Sequence, residues 1–300
     1  MVNNQNNKNK KIESFNGLTP KEWAALSKSV WNDVSSPREW YHLEHGATFS
    51  VALAERVIKI YSKVGDTILD PFLGVGTTLI AAKNLGRNGY GFEIYKKFYD
   101  IARNLLSQEK LPITNYAPDI KIYNDDCRNI LKYIPEETIQ LTFTSPPYAN
   151  FIHRSVKDRI ETHKNSLLVK ANHSVVKPYG DDPRDFGNLE YDEYLEEIKN
   201  LMKKIFHVTR AGGYNIWVVK DYRDPQNGKP LIPLHVDIAM AGEEAGFIWH
   251  DLIIWDQNAQ RKLVVLGYPS VFYVNINHTF LVVLRKPPRR KRDTNENRKK

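Results

Sequence analysis

From residue 67 onward, short runs of consecutive apolar residues alternate with stretches in which apolar residues recur every three or four positions. The runs TILD (67–70), GYGFEI (89–94), IKIYN (120–124), IQLTFT (139–144), YNIWVVK (214–220), FIWHDLIIW (247–255) and HTFLVVL (278–284) read as strands. Helical spacing falls at 77–85, 96–107, 127–133, 191–209 and 235–245. Ahead of these, TPKE at 19–22 has the form of a capping box with Pro20 at the first helical position, which predicts a helix from there to about Trp31. A second helix is expected after Ser50, through VALAERVIKIY. Unbroken apolar, β-branched runs joined by helices specify a parallel sheet covered on both faces. No helical stretch separates the last two runs, so the final strand is expected to be antiparallel. The predicted fold is α/β: a doubly wound, mostly parallel seven-stranded sheet with an antiparallel last strand, in one domain over residues 17–286.

Composition adds three constraints. A chain of 300 residues, 41% hydrophobic, is long enough to bury one large core. Its one cysteine, Cys127, excludes an internal disulfide and a multi-cysteine zinc site, and fits a reducing compartment; no metal is expected. No apolar run approaches the ~20 residues of a membrane span, and MVNNQNNKNKK lacks the apolar core of a signal peptide, so the expected location is the cytoplasm. The net charge of +8 is concentrated at the ends: residues 285–300 hold nine Lys/Arg against two acidic residues, and residues 1–12 add three lysines. The remainder is slightly acidic. Residues 1–16 and 287–300 therefore read as disordered basic tails. Inside the chain, residues 150–178 carry six Lys/Arg and three histidines against two acidic residues, a surface suited to a polyanion, whereas 180–200 is dominated by Asp and Glu.

In an open sheet of this kind ligands bind beyond the carboxyl ends of the strands. The first strand ends at Asp70, and Pro71-Phe72-Leu73-Gly74-Val75-Gly76-Thr77-Thr78 then turns into a helix. Glycines let backbone approach a ligand there. The turn lacks the Gly-Lys-Ser/Thr of a phosphate-cradling loop, and Leu79 stands where a dinucleotide fingerprint needs its third glycine. A nucleoside ligand without pyrophosphate is left. Glu93 ends the next strand about twenty residues on, where a carboxylate accepts from ribose hydroxyls. Asp126 follows the third strand and suits an adenine amino group; capping the following helix is the alternative role. Ser145-Pro146-Pro147-Tyr148 follows the fourth. Prolines there fix φ and remove N–H donors, leaving acceptors beside a hydroxyl and an aromatic face, a setting for a planar base that bears an amino group.

DPFLGVGTT (70–78) and TSPPY (144–148) resemble the cofactor and catalytic motifs of amino-methyltransferases that modify DNA bases with S-adenosylmethionine. The likeness runs from about residue 40 to 286, with a cofactor half over about 40–126 and a catalytic half over about 127–286. It implies a class I, Rossmann-like methyltransferase fold. It also implies that His45, Thr48, Phe49, Asp70, Pro71, Phe72, Gly74, Gly76, Thr77, Thr78, Glu93, Asp126 and Thr144 bind the cofactor. Ser145, Pro146, Pro147 and Tyr148 would hold the flipped base, with Asn150 and Asp221 as further pocket candidates. Gly46 departs from the family, many of whose members have proline there. Ser-Pro-Pro-Tyr is associated mostly with cytosine N4 and Asp/Asn-Pro-Pro-Tyr mostly with adenine N6, so the resemblance favours cytosine N4 in duplex DNA, within restriction-modification. Residues 150–178, with 256–277, are the expected recognition surface, supplemented by the basic tails, a homodimer, or both. An N6-adenine DNA methyltransferase is the alternative reading, and an RNA amino-methyltransferase and a catalytically silent nucleic-acid-binding subunit are the further rivals.

Overall fold

The computed structural model describes residues 14–34, 39–46, 48–108, 116–149, 179–224, 228–260 and 270–289. The elements in chain order are α1 (Pro20–Leu26), β1 (Val30–Trp31), α2 (Trp40–His45), α3 (Val51–Tyr61), β2 (Thr67–Asp70), α4 (Thr77–Asn84), β3 (Asn88–Phe92), α5 (Lys96–Ser107), β4 (Ile120–Tyr123), β5 (Ile139–Thr144), α6 (Tyr191–Val208), β6 (Thr209–Val219), β7 (Tyr222–Asp224), β8 (Lys229–Ile232), α7 (Leu234–Glu244), β9 (Ile248–Asp256) and β10 (His278–Arg285).

Alternation along the central strands places successive side chains on opposite faces, and both faces are covered. In β6, Ile216 and Val218 join α3 and α4 on one side, while Trp217 and Val219 join α6 and α7 on the other. β10 does the same, with Leu281 and Val283 on the first side and Phe280, Val282 and Leu284 on the second. Each fully buried aliphatic side chain of these layers contributes roughly 1.5–3 kcal/mol relative to exposure.

The main sheet has the order β1-β9-β10-β6-β5-β2-β3-β4. β2 lies parallel to both β3 and β5, β3 to β4, and β5 to β6, whereas β10 is antiparallel to β6 and β9. This is the doubly wound, Rossmann-like α/β arrangement expected, with its antiparallel last strand. The chain winds outward in opposite directions from β2 and β5, so the switch point opens between the ends of those two strands.

Three expectations change. The sheet has eight strands among the described residues, not seven, because Val30–Trp31 pairs in parallel with Ile254 and Trp255. The first helix stops at Leu26 instead of reaching Trp31: the Thr19–Glu22 capping box starts it, but tertiary pairing claims the residues that would have extended it. Residues 127–132 form a 3₁₀ rather than an α-helix. A separate hairpin, β7–β8, fills the connection from β6 to α7. The structured chain also reaches slightly beyond 17–286. Asn16 donates to the Ile60 carbonyl at 2.8 Å, Phe15 lies 6.2 Å from the Tyr214 ring, and Arg289 pairs with Glu137. Residues 1–13, 150–178 and 290–300, where most of the tails and the recognition segment were placed, lie outside the described residues.

Candidate active site

A cavity of about 1130 Å³ runs along the carboxyl edge of the sheet, across the switch point. At one side the β2–α4 turn supplies Pro71, Phe72 and Gly74. Gly74 and Gly76 have φ of 53° and 91°, conformations that side chains with a Cβ rarely adopt. A Cβ on Gly74 would also come within 3.0 Å of His45 Nε2, so glycine lets α2 close directly over the turn.

Glu93 follows β3 and is buried against this turn. Its Oε2 accepts the Gly74 N–H at 2.8 Å and its Oε1 accepts the Tyr95 N–H at 2.8 Å. Burial pushes its carboxyl up to about 7, against the lowering effect of those two hydrogen bonds. Asp126 lines the same region and also caps the 3₁₀ helix: Oδ1 accepts the Arg128 N–H and Oδ2 the Arg128 Nη1, each at 2.8 Å. Asp126 thus caps the 3₁₀ helix and also faces the cavity.

The β5 end carries Ser145, Pro146, Pro147 and Tyr148, all lining the cavity. Tyr148 is fixed in place: its hydroxyl accepts the Lys220 N–H at 2.8 Å, and its ring lies parallel to Tyr222, 5.8 Å away at 8°. His45, Thr48 and Phe49 complete the wall from α2 and the segment before α3, with Phe49 4.9 Å from Phe143.

Five residues expected at the cofactor are not among those lining the cavity. Asp70 is buried, where its Oδ1 accepts from Thr144 Oγ1 at 2.6 Å and from the Phe72 N–H at 3.1 Å; burial pushes its carboxyl up to about 6. It ties the ends of β2 and β5 together. Thr78 Oγ1 donates to the Phe143 carbonyl at 3.3 Å, Thr77 Oγ1 lies 3.5 Å from His42 Nε2, and Gly76 packs on Ala102. Asp70, Gly76, Thr77, Thr78 and Thr144 thus shape the turn from beneath. Asp221 is likewise outside the cavity lining, with His235 Nδ1 at 2.8 and 2.9 Å from its two oxygens. Asn150 lies outside the described residues.

The sequence reading missed a whole wall. Residues 179–189 cross from Glu93 to the proline turn. The Tyr179 ring lies 4.6 Å from that of His45, tilted by 37°, and Tyr95 donates its hydroxyl proton to Asp185 at 2.8 Å. The Arg128 guanidinium sits 4.3 Å from the Phe186 ring, and a Cβ on Gly187 would approach Pro147 to 3.3 Å. Tyr179, Arg184, Asp185 and Phe186 all line the cavity. At the far end Trp255 and Thr279 contribute from β9 and β10, and Lys220 and Gln257 from the residues just after β6 and β9. No periodicity or motif marks these positions; long-range packing brings them to the edge.

Residues 1–104 match the N6/N4 methyltransferase family, described as DNA methylase. The chain is 39% identical over 92 residues to Type II methyltransferase M.MthZI of Methanothermobacter thermautotrophicus, covering 29% of this chain and 25% of that protein. It is 39% identical over 138 residues to Type II methyltransferase M.BglII of Bacillus subtilis, covering 44% and 37%. The chain therefore spans between a quarter and about two fifths of the length of these relatives. A solved SAM-dependent methyltransferase from Methanosarcina mazei aligns at 14% identity and a TM-score of 0.45, covering 77% of this chain and 97% of that one.

Proposed function

We propose that the chain is an S-adenosylmethionine-dependent DNA amino-methyltransferase that modifies the exocyclic N4 amine of cytosine in duplex DNA, as the modification partner of a restriction system. The observation that carries this reading is one cavity that joins the Gly74 turn, Glu93, Asp126 and Ser145–Tyr148 along a single sheet edge. The match to a DNA methylase family and the identity to Type II methyltransferases support it.

The residues fit the cofactor. Each Glu93 oxygen accepts one backbone N–H and retains a lone pair for a ribose hydroxyl, and Asp126 offers acceptors for an adenine amine. Gly74, Thr48 and Phe49 surround the space for the amino-acid end. When bound, S-adenosylmethionine supplies a methyl group on a positively charged sulfur.

The chain's own work is on the base. The lone pair of an aromatic amine is delocalised into the ring, and acceptors for both amino hydrogens free it for attack. Ser145 Oγ and the Pro146 carbonyl are those acceptors, held rigid by the two proline rings. Tyr148, clamped by Lys220 and Tyr222, sets the plane of the pocket. Holding amine and methyl in line contributes much of the rate. No covalent base adduct is needed. Cys127 is buried next to Asp126, and burial pushes its thiol well above its ordinary value, which argues against the cysteine-nucleophile chemistry of carbon-5 methylation. Because the target amine lies inside the duplex, the base is extruded.

The test is sequencing of DNA from cells expressing the protein, with a method that separates N4-methylcytosine from N6-methyladenine. N4-methylcytosine at a fixed sequence is expected; N6-methyladenine would replace the base assignment, and labelling of RNA alone would reject the DNA substrate. Ser145→Ala should lower methyl transfer by about 10²-fold while S-adenosylmethionine binding by calorimetry stays nearly unchanged.

A further inference from the structure

At the far end of the cavity the lining follows the two-residue period of the sheet. Val218 and Lys220 line it but Val219 does not, Trp255 and Gln257 do but Asp256 does not, and Thr279 does while His278 and Phe280 do not. Side chains from one face of β6, β9 and β10 are therefore turned towards the cavity. Trp255 is the largest of them and is 5% exposed. The polar groups around it are already engaged. Thr279 Oγ1 donates to Gln257 Oε1 at 3.1 Å, the Gln257 N–H to the Asn277 carbonyl at 2.9 Å, and Gln260 Nε2 to the Val34 carbonyl at 3.3 Å. The indole Nε1 of Trp255, by contrast, is buried and has no acceptor among the described residues. An indole N–H can only donate, and a buried donor without a partner is unfavourable.

Strand register places this donor across from the proline turn. Thr144 pairs with Trp217, Val219 with Phe280, and Thr279 with Trp255, so β5 and β9 end at the same level of the edge. β6 and β10 lie between them, and three strand spacings put the two backbones roughly 14 Å apart. Side chains reaching inwards from both leave room for a single aromatic ring. Ser145 and the Pro146 carbonyl offer acceptors for an amine on one side, and Trp255 offers a donor on the other. Of cytosine and adenine, only cytosine has an amine, N4, at one end of its pairing edge and a carbonyl, O2, at the other.

We propose that Trp255 is a specificity-determining residue of the base pocket, its Nε1–H donating to O2 of the extruded cytosine whose N4 amine meets Ser145. The assignment rests on the cytosine reading above. It adds to that reading a group that separates cytosine from adenine.

The test compares the full chain with its Trp255→Phe variant, which keeps an aromatic ring but lacks the N–H, on two duplexes carrying the site found by sequencing. One holds the target cytosine and the other 2-thiocytosine, in which a weakly accepting sulfur replaces O2. Wild-type protein is expected to show a kcat/KM about tenfold higher on cytosine than on 2-thiocytosine. Trp255→Phe should lose about tenfold on cytosine and treat the two duplexes within about twofold of each other, with S-adenosylmethionine binding by calorimetry retained. Equal wild-type rates on the two duplexes overturn the assignment alone, and that arm needs no variant. A preference for cytosine that survives in Trp255→Phe also overturns it, since a purely structural indole would leave the ratio in place. Wild-type protein inactive on the cytosine duplex would overturn the cytosine reading itself, and the assignment with it.

Discussion

Glu93 is a buried carboxyl whose two oxygens already serve backbone N–H groups, and burial raises it to about 7. In the proposed complex a ribose diol would donate two hydrogens to it and so favour the ionised form, which means that binding would lower this carboxyl's proton affinity. Below about 7 the free protein holds a proton there that the complex releases. Affinity for S-adenosylmethionine should therefore rise with pH through about 7 and level off above it. Calorimetry in buffers of different ionisation enthalpy should register proton release on the acid side only. Glu93→Gln should bind at least about tenfold more weakly and lose the pH dependence. Its position after a strand, at a set distance from two glycines, marks Glu93 in the sequence, and the structure places it on the cavity wall against Gly74. Asp221 was not legible in the same way: it also ends a strand, but His235, fourteen residues later on α7, occupies both its oxygens. Asp70, expected as a contact, is held by Thr144 from another strand. At this scale sequence gives the chemical type of a residue, while its partner decides its use.

Helices with strong end signals kept their places: Ser50 accepts from the Leu53 N–H and starts α3 where expected. Weakly specified elements moved. Val30–Trp31 has only two residues in which to show a period, and it became a strand because the edge of β9 was open to it. The 3₁₀ turn at 127–132 is too short for α-helical periodicity to discriminate. It matters because Arg128 extends from it to Asp126, Glu197, the Arg184 carbonyl and the Phe186 ring, joining α6 and the 179–189 wall to the cavity. Arg128→Ala should lower unfolding stability by about 1–3 kcal/mol in urea titrations. It should also raise the S-adenosylmethionine KM more than it changes kcat, since the wall loosens while Ser145 stays in place. Arg128→Lys should not restore the wild-type values, because a point ammonium cannot form the planar fork and stack together. Wild-type values in Arg128→Lys would show that charge alone holds this wall.

Across the whole molecule, the cavity spans strands from both sides of the switch point, so its parts come from residues 42 to 279. Charge is also distributed at this scale. Removing residues 290–300 takes away six Lys/Arg and two acidic residues. If the tail neutralises phosphates, the slope of log binding constant against log salt should fall by roughly 1–4 in fluorescence titrations with duplex DNA, with methylation of saturated sites unchanged. An unchanged slope would show that the tail stays off the DNA. The amino-acid order by itself determined the winding of the sheet, the antiparallel last strand, the glycine turn, and the acids and prolines at four strand ends. Those follow from local rules: apolar run length, helical spacing, the φ freedom of glycine and the rigidity of proline. Only the tertiary structure decided which strand-end residues face the cavity and which brace it from behind, and it alone brought in the 179–189 wall and the far end at β9 and β10. Those choices depend on contacts between residues dozens of positions apart, whose side chains must exclude one another from the same space, and no local pattern records them.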